Sequence, residues 1–379
     1  MPEEFLRPWR RETETLMKLV ANRTWIAAAL VATCSITTAP AGEAEWKVEH
    51  DAGWSAYKEG RLDEAETRLR AAEKEARALG ENDPRLATTR DHLAWVLSSE
   101  GKIAEAEPLA KSALAIREKA FGPEHPEVVL SLNTLASIYD LAGRPSEARP
   151  IYVRCLATAE KVHGPEHPSV AADLDNLAAV DHVLGRSEEA EASYKRAIAI
   201  REKTAGGKPI DLAPTLHNLG TLYIEKEKYA EAEPLLRRAL AIREQALGAD
   251  HPDVASSLEA LGWLYASQGK PAEAEPLLKR ALALYEVDLG KDHPDVARCC
   301  SKMGRVCLTE DHPVEAEACC KRAVSIYEQI GDDPLDLATA LEDYAAVLSK
   351  TGRASEAEKL VARARSLRES VPKSEAPKP

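Results

Sequence analysis

The segment GPEHPEVVLSLNTLASIYD occupies residues 122–140, and GPEHPSVAADLDNLAAVDH occupies residues 164–182. Both begin with Gly-Pro-Glu-His-Pro and continue as an apolar, Leu-rich run, and they lie 42 residues apart. The same period places aligned glycines at Gly80, Gly122, Gly164, Gly206, Gly248 and Gly290. A fixed period in this range is typical of stacked helical repeats, so most of the 379-residue chain is predicted to form one elongated array.

Each repeat is predicted to be a helix, a short turn and a second helix. The turns read SEGK, LAGR, VLGR, SQGK and KTGR. Small residues recur at fixed places, which lets helix backbones approach closely. The second helices carry two such columns, which begin at Ala65 and Ala72 and include Cys155. The column of the first helices is Gly53, Ala94, Ala136, Ala178, Gly220, Gly262, Gly304 and Ala345. Eight repeats fit between about residues 45 and 370.

These columns, with Tyr139, Tyr223 and Tyr265 in the first helices, resemble tetratricopeptide repeats. The 42-residue period and the junction LGADHPDVA at 247–255 resemble the kinesin-light-chain type. The resemblance implies an all-α fold, a right-handed superhelical solenoid of eight tetratricopeptide helix-turn-helix repeats. It is specific for the fold and much less so for the function, so the cargo-adaptor role of the eukaryotic light chains is not carried over.

Residues 1–41 are predicted to be a signal peptide or N-terminal leader. Met17 is followed by basic residues, by an apolar stretch too short to span a bilayer, and by Ala39-Pro40-Ala41. Cleavage after Ala41 would make the protein periplasmic or extracellular, with no membrane span in the mature chain. Otherwise the protein is cytoplasmic. Whether translation starts at Met1 or Met17 is left open. The solenoid is predicted over 45–370, and 371–379 as a disordered tail.

The junction histidines are predicted to cap helices rather than to bind metal. His125, His167, His251 and His293 each precede a proline, and Asp83 and Asp333 take the same place at two other junctions. Both residue types can accept a hydrogen bond from a free helix N–H, and proline suits the first helical position. Asp and His are not interchangeable as metal ligands at fixed geometry. No metal site is therefore predicted.

Five of the cysteines fall within the seventh repeat, at Cys299, Cys300, Cys307, Cys319 and Cys320. Several stand where other repeats have apolar residues, which favours core packing. An exported protein meets oxidising conditions, so a disulfide or a redox or metal site stays an alternative. Helices usually pack farther apart than a disulfide allows, and the spacing does not match a zinc site.

Composition and motifs exclude several function classes. The formal net charge of −13, without a basic run that contains aromatic residues, argues against nucleic acid as a partner. The sequence has no Gly-rich phosphate loop, no nucleophile elbow and no His-Glu-x-x-His motif. We therefore expect no enzyme and no cofactor.

The predicted function is a scaffold that holds a protein or peptide segment of unknown identity in the groove lined by the first helices. Asn side chains can pair with a peptide backbone, and Trp and Arg often dominate interface energy. The alternative is an envelope or cytoplasmic scaffold that acts by lateral or self-association, and the oligomeric state is open. The predicted groove residues are Trp54, Trp95, Asn133, Asn176, His217, Asn218, Glu259, Trp263, Arg298, Lys302 and Arg305.

Overall fold

The structure is a computed structural model, and it describes residues 42–204, 209–331 and 334–370. The predicted leader, the predicted tail and the expected cap at Asp333 lie outside these residues. The described residues form 16 α-helices and one short 3-10 helix, with no strand among them. The helices alternate as first and second members of eight pairs, as the sequence pattern predicts.

The chain forms two compact units that divide between Ile200 and Arg201. The first unit contains α1 to α7 and most of α8. The helices are α1 (Glu43–Lys58), α2 (Leu62–Leu79), α3 (Pro84–Ser99), α4 (Ile103–Phe121), α5 (Pro126–Leu141), α6 (Pro145–His163), α7 (Pro168–Val183) and α8 (Ser187–Thr204).

The second unit contains the end of α8, the 3-10 helix Pro209–Leu212 and the remaining helices. These are α9 (Ala213–Glu225), α10 (Tyr229–Leu247), α11 (Pro252–Ser267), α12 (Pro271–Leu289), α13 (Pro294–Thr309), α14 (Pro313–Ile330), α15 (Pro334–Lys350) and α16 (Ala354–Ser370).

The junction residues begin first helices as the sequence predicts. The Nδ1 atoms of His125, His167, His251 and His293 accept from the backbone N–H two residues later, at 3.1–3.2 Å. The carboxylate of Asp83 accepts in the same way at 2.9 Å. In all five cases a proline occupies the start of the helix. The prediction of helix caps is confirmed at these positions.

The small-residue columns lie where paired helices touch, which confirms their predicted role. All eight members of the first-helix column are buried. A Cβ added at Gly262 would lie 2.7 Å from Leu278 Cγ, and one at Gly304 would lie 2.5 Å from Cys320 Sγ. A side chain at either glycine would therefore push the two helices of its pair apart. The second-helix columns from Ala65 and Ala72 onward are buried as well, Cys155 included.

The cysteines contribute to the apolar interior of the seventh repeat. Cys299, Cys300, Cys307 and Cys320 belong to the buried core of the second unit, and Cys319 packs against it. All six cysteines of the described chain are free. Burial raises the pKa of Cys300 to about 11 and that of Cys320 to about 12, so both thiols are protonated at neutral pH. These observations agree with the packing interpretation.

Candidate protein-binding surface

A row of mostly buried polar residues runs through the first helices, one residue per repeat. Its members are 42 residues apart and come from α3, α5, α7, α9, α11 and α13. Five of the six are buried and Asn133 is half-buried. The row, which we call the polar row, consists of Asp91, Asn133, Asp175, His217, Glu259 and Ser301. Three of the predicted groove residues belong to it.

In the second unit, Glu259 of the polar row joins α11 to the next first helix, α13. Its carboxylate accepts from Arg298 at 2.7 and 2.8 Å and from Lys302 at 2.8 Å. Tyr285 of α12 donates to it at 2.9 Å. Burial would raise the pKa of Glu259, but the charges of Arg298 and Lys302 outweigh burial and hold the pKa well below its usual range. The carboxylate is therefore ionised and bonded on both oxygens.

The first unit contains a similar buried contact around Asp91. Arg117 of α4 donates to Asp91 and to Ser131 of α5, and Ser131 donates to Asp91 at 2.8 Å. Burial raises the pKa of Asp91 to about 6 against the opposing charge of Arg117. On α7, burial raises the pKa of Asp173 to about 7, and Asn133 of α5 opposes this shift. The polar row thus joins neighbouring first helices within this unit.

These contacts correct part of the predicted groove. His217, Asn218 and Glu259 were expected on an open surface, but their exposed fractions are only 7%, 2% and 3%. Arg298 and Lys302 were expected to form a basic spot, yet both are bonded to Glu259 and their positive charge is largely offset. The sequence pattern places these residues on first helices, but it could not tell a side chain that is exposed from one that faces the adjacent helix.

Trp263 and Arg305 form the most exposed part of the predicted site in the second unit. The Trp263 ring is half-buried, with the Arg305 guanidinium 4.5 Å and the Lys302 ammonium 5.6 Å from its centroid. The Arg305 side chain is 53% exposed, and its nearest carboxylate oxygen, on Asp343, is 3.9 Å away. Trp263 is not among the buried residues of the core, and it does not pack against the buried cluster that contains Cys320. An indole with a partly exposed guanidinium can contact both apolar and acidic groups.

In the first unit, Trp54, Trp95, Asn133 and Asn176 are all half-buried on first helices. Trp54 stacks on His92 of α3, with ring centroids 3.8 Å apart. Trp95 and Asn176 lie outside the apolar core clusters of the unit, and Trp95 holds the repeat position that Trp263 holds in the second unit. The stack continues from His92 through His50 to Trp46, and no repeated column of the sequence points to these three residues.

Within residues 42–204, 209–331 and 334–370, no group of three or more His, Cys, Asp or Glu side chains could hold a metal ion. None of the helices in that part of the chain is both long and apolar enough to cross a membrane.

Paired antiparallel helices with small residues at each contact define an α-helical repeat protein. The chain belongs to the tetratricopeptide repeat family, because the family model matches residues 52–119, 98–161, 143–203, 211–287, 268–329 and 312–370. No curated protein matches it.

Solved structures with similar folds include kinesin-light-chain-like repeats. One contains the nearly identical TPR-like repeats of a Podosopora anserina protein assigned as a kinesin light chain. It is 28% identical over 54% of this chain and 97% of that chain, with a TM-score of 0.48. BtubC (BKLC) from P. vanneervenii is 24% identical over 62% of this chain and 92% of that chain, with a TM-score of 0.51. Aspartyl phosphate phosphatase F from Bacillus subtilis is 13% identical over 92% of this chain and 100% of that chain, with a TM-score of 0.61.

Proposed function

We propose that this protein is a non-catalytic scaffold that holds a partner protein segment against its first helices. The observation that carries the proposal is the half-buried Trp263 ring beside the exposed Arg305 guanidinium, 4.5 Å away, with neither residue among the buried residues of the core. Trp and Arg are the residue types that most often dominate interface energy.

Each unit offers a proposed surface of its own. In the second unit, the Trp263 ring offers an apolar face, and Arg305 can pair with a carboxylate once it leaves Asp343. In the first unit, Trp95 and Asn176 offer an apolar face and an amide that can pair with a peptide backbone. Glu259, Arg298 and Lys302 support the surface beside Trp263 through the contacts that join α11 to α13.

Photo-crosslinking in the source cell tests this surface. A benzophenone side chain at Trp263 or Trp95 should trap a partner. The partner should then bind a Trp263→Ala, Arg305→Ala variant about 30-fold or more weakly, the loss expected for about 2 kcal/mol of hot-spot energy. The helical circular-dichroism signal should not change, because neither residue belongs to the core.

Lateral association is the alternative function, and a different observation favours it. Val287 of α12 and Val314 of α14 are 88% and 75% exposed on second helices. A benzophenone at Val287 reports contacts on that side. Crosslinks from Val287 to a second copy of the chain, with none from Trp95 or Trp263, would replace the groove proposal by lateral self-association. Equal binding by the double variant and the wild type would also contradict the proposal.

A further inference from the structure

An unusual stack of aromatic and imidazole rings joins the first two repeats. His50 of α1 lies between Trp46 and His92, at centroid distances of 5.1 and 4.9 Å. The other side of His92, on α3, is 3.8 Å from Trp54, and those two rings are within 13° of parallel. Trp46, His50 and Trp54 are spaced four residues apart and so share one face of α1. Two histidines are thus enclosed between two tryptophans.

The enclosed histidines each have a ring nitrogen that is buried and bonded to nothing in the described chain. These atoms are Nε2 of His50 and Nδ1 of His92. The other recorded contact of the pair is between His50 Nδ1 and the Asp51 carboxylate, at 3.3 Å. A nitrogen lone pair lies in the plane of its ring, so the lone pairs of two stacked rings do not converge on a point between the rings. A shared metal ion therefore does not explain the pair, whereas two neutral rings in van der Waals contact do.

The charged groups around the pair do not favour a second positive charge. Asp51 is 62% exposed and can stabilise a proton only on His50. From α4, the positive charge of Arg117 acts on His92. The charges of α2 are bonded elsewhere, Arg68 to Glu49 and Glu73 to Arg77 and Arg90. Arg85 of α3 lies over Trp46 and is bonded to Asp83 and Glu43.

The net effect of burial and neighbouring charges is a lower pKa for both imidazoles. Burial lowers the pKa of His50, against the smaller opposing effect of Asp51. Burial, the facing His50 and Arg117 together hold the pKa of His92 well below 6.5. Because the native pKa is depressed, the unfolded or detached state binds more protons below pH 6.5. The stability of the contact is therefore complete above that pH and falls as the pH decreases toward the native values.

We propose that the Trp46–His50–His92–Trp54 stack is an acid-sensitive contact that releases α1 from α3 when its histidines are protonated. The other contacts recorded between these helices are few and lie near the ends of α1. Trp46 donates to Thr89 at 2.8 Å, Glu43 pairs with Arg85 at 3.0 Å, and Tyr57 lies 3.5 Å from Ser99. Acid would uncover the side of α3 that α1 covers at neutral pH.

Hydrogen exchange of the full-length chain, corrected for the intrinsic pH dependence, tests the proposal. The protection of α1 should fall by about tenfold or more between pH 6.5 and 5, since one proton bound only in the open state changes the opening equilibrium tenfold per pH unit. His92→Phe keeps an aromatic ring between His50 and Trp54 but cannot be protonated. The protection of α1 in this variant should depend much less on pH.

The control is His163→Phe, which alters a stacked pair at another junction, where His163 and His167 lie 4.7 Å apart. This variant should follow the wild type at α1. Proton NMR of the wild type is an independent measurement, because it does not depend on whether a variant folds. The His92 imidazole should titrate well below pH 6.5. Titration of both His50 and His92 near 6.5, or an α1 whose protection does not change with acid, would overturn the proposal. An equal loss of α1 protection with acid in the His92→Phe variant would also overturn it.

Discussion

The Arg280 guanidinium lies 2.7 Å from the Glu244 carboxylate of the preceding second helix, and it also donates to the carbonyl of Ala249 in the junction at 2.8 Å. One side chain thereby ties a second helix both to its neighbour and to the loop that leaves that neighbour. The same Arg–Glu pair recurs 42 residues before, as Arg238 with Glu202, and 42 residues after, as Arg322 with Glu286. In the first unit, Arg154 and Arg196 bond to Glu118 and Glu160 in the same way.

The first prediction concerns this contact. Arg280→Met keeps the apolar stem and removes the guanidinium, so it should lower the free energy of unfolding by about 1 kcal/mol. Lys279→Met is the matched control, because Lys279 is 65% exposed and pairs only with Glu275 on its own helix. The control should change stability by less than about 0.5 kcal/mol. Urea unfolding at low and high salt measures both, and the Arg280 effect should shrink in salt.

The second prediction concerns the buried carboxylate of Glu259. Glu259→Gln removes the charge that Arg298 and Lys302 share, and it should cost about 2–4 kcal/mol at pH 7. The low native pKa makes this contribution complete above the unfolded pKa of 4.5, and it is lost as the pH falls from there toward the native value. The stability difference between wild type and variant should therefore narrow between pH 5 and pH 3. A difference that stays constant over this range would show that the charge is not what matters.

The sequence predicts the contacts of a residue when its partner lies within the same repeat, and it fails when the partner lies in another repeat. The small residues and the caps at His125 and His251 act within one repeat, so the period reveals them directly. Glu259 depends on Arg298, which is 39 residues away on the adjacent first helix. A polar residue on a first helix looks the same in the sequence whether it faces solvent or that neighbour. The row of Arg154, Arg196, Arg238, Arg280 and Arg322 was visible in the period, but an arginine on an exposed helix attracts no notice.

The third prediction concerns the cysteines, where the packing interpretation leads to a specific substitution. Cys320 faces Gly304, and the matching contacts in the two preceding repeats are Leu236 against Gly220 and Leu278 against Gly262. Its cysteine neighbours are smaller than the Leu and Tyr residues of those repeats. Cys320→Leu should therefore change stability by less than about 1.5 kcal/mol. Cys320→Ser, which buries a hydroxyl, should cost about 1–3 kcal/mol.

Thermal unfolding with and without reductant completes this test. Because the structural thiols are free, the melting temperature of the wild type should be the same in both conditions. A marked fall with reductant in the wild type that is absent from Cys320→Leu would establish a disulfide at this position. It would also contradict the packing interpretation of the seventh repeat.

The last prediction concerns the turns inside the repeats. The residue after the first-helix cap has φ of 72° at Gly269, and Glu227 holds the same place one repeat earlier with φ of 56°. Both turns close identically, since Lys228 N–H donates to the Tyr223 carbonyl at 2.8 Å and Lys270 N–H donates to that of Tyr265 at 2.9 Å. Such a turn favours glycine, because a side chain in the left-handed region costs about 1–2 kcal/mol.

Glu227→Gly should therefore stabilise the second unit, by about 0.5–1 kcal/mol after the added flexibility of the unfolded chain is subtracted. Gly269→Glu is the reciprocal control and should destabilise it by a similar amount, since the space around Gly269 is open and only the backbone is strained. Urea unfolding of the two variants measures both changes, and a loss of stability in Glu227→Gly would mean that the Glu227 side chain contributes more than the strain costs.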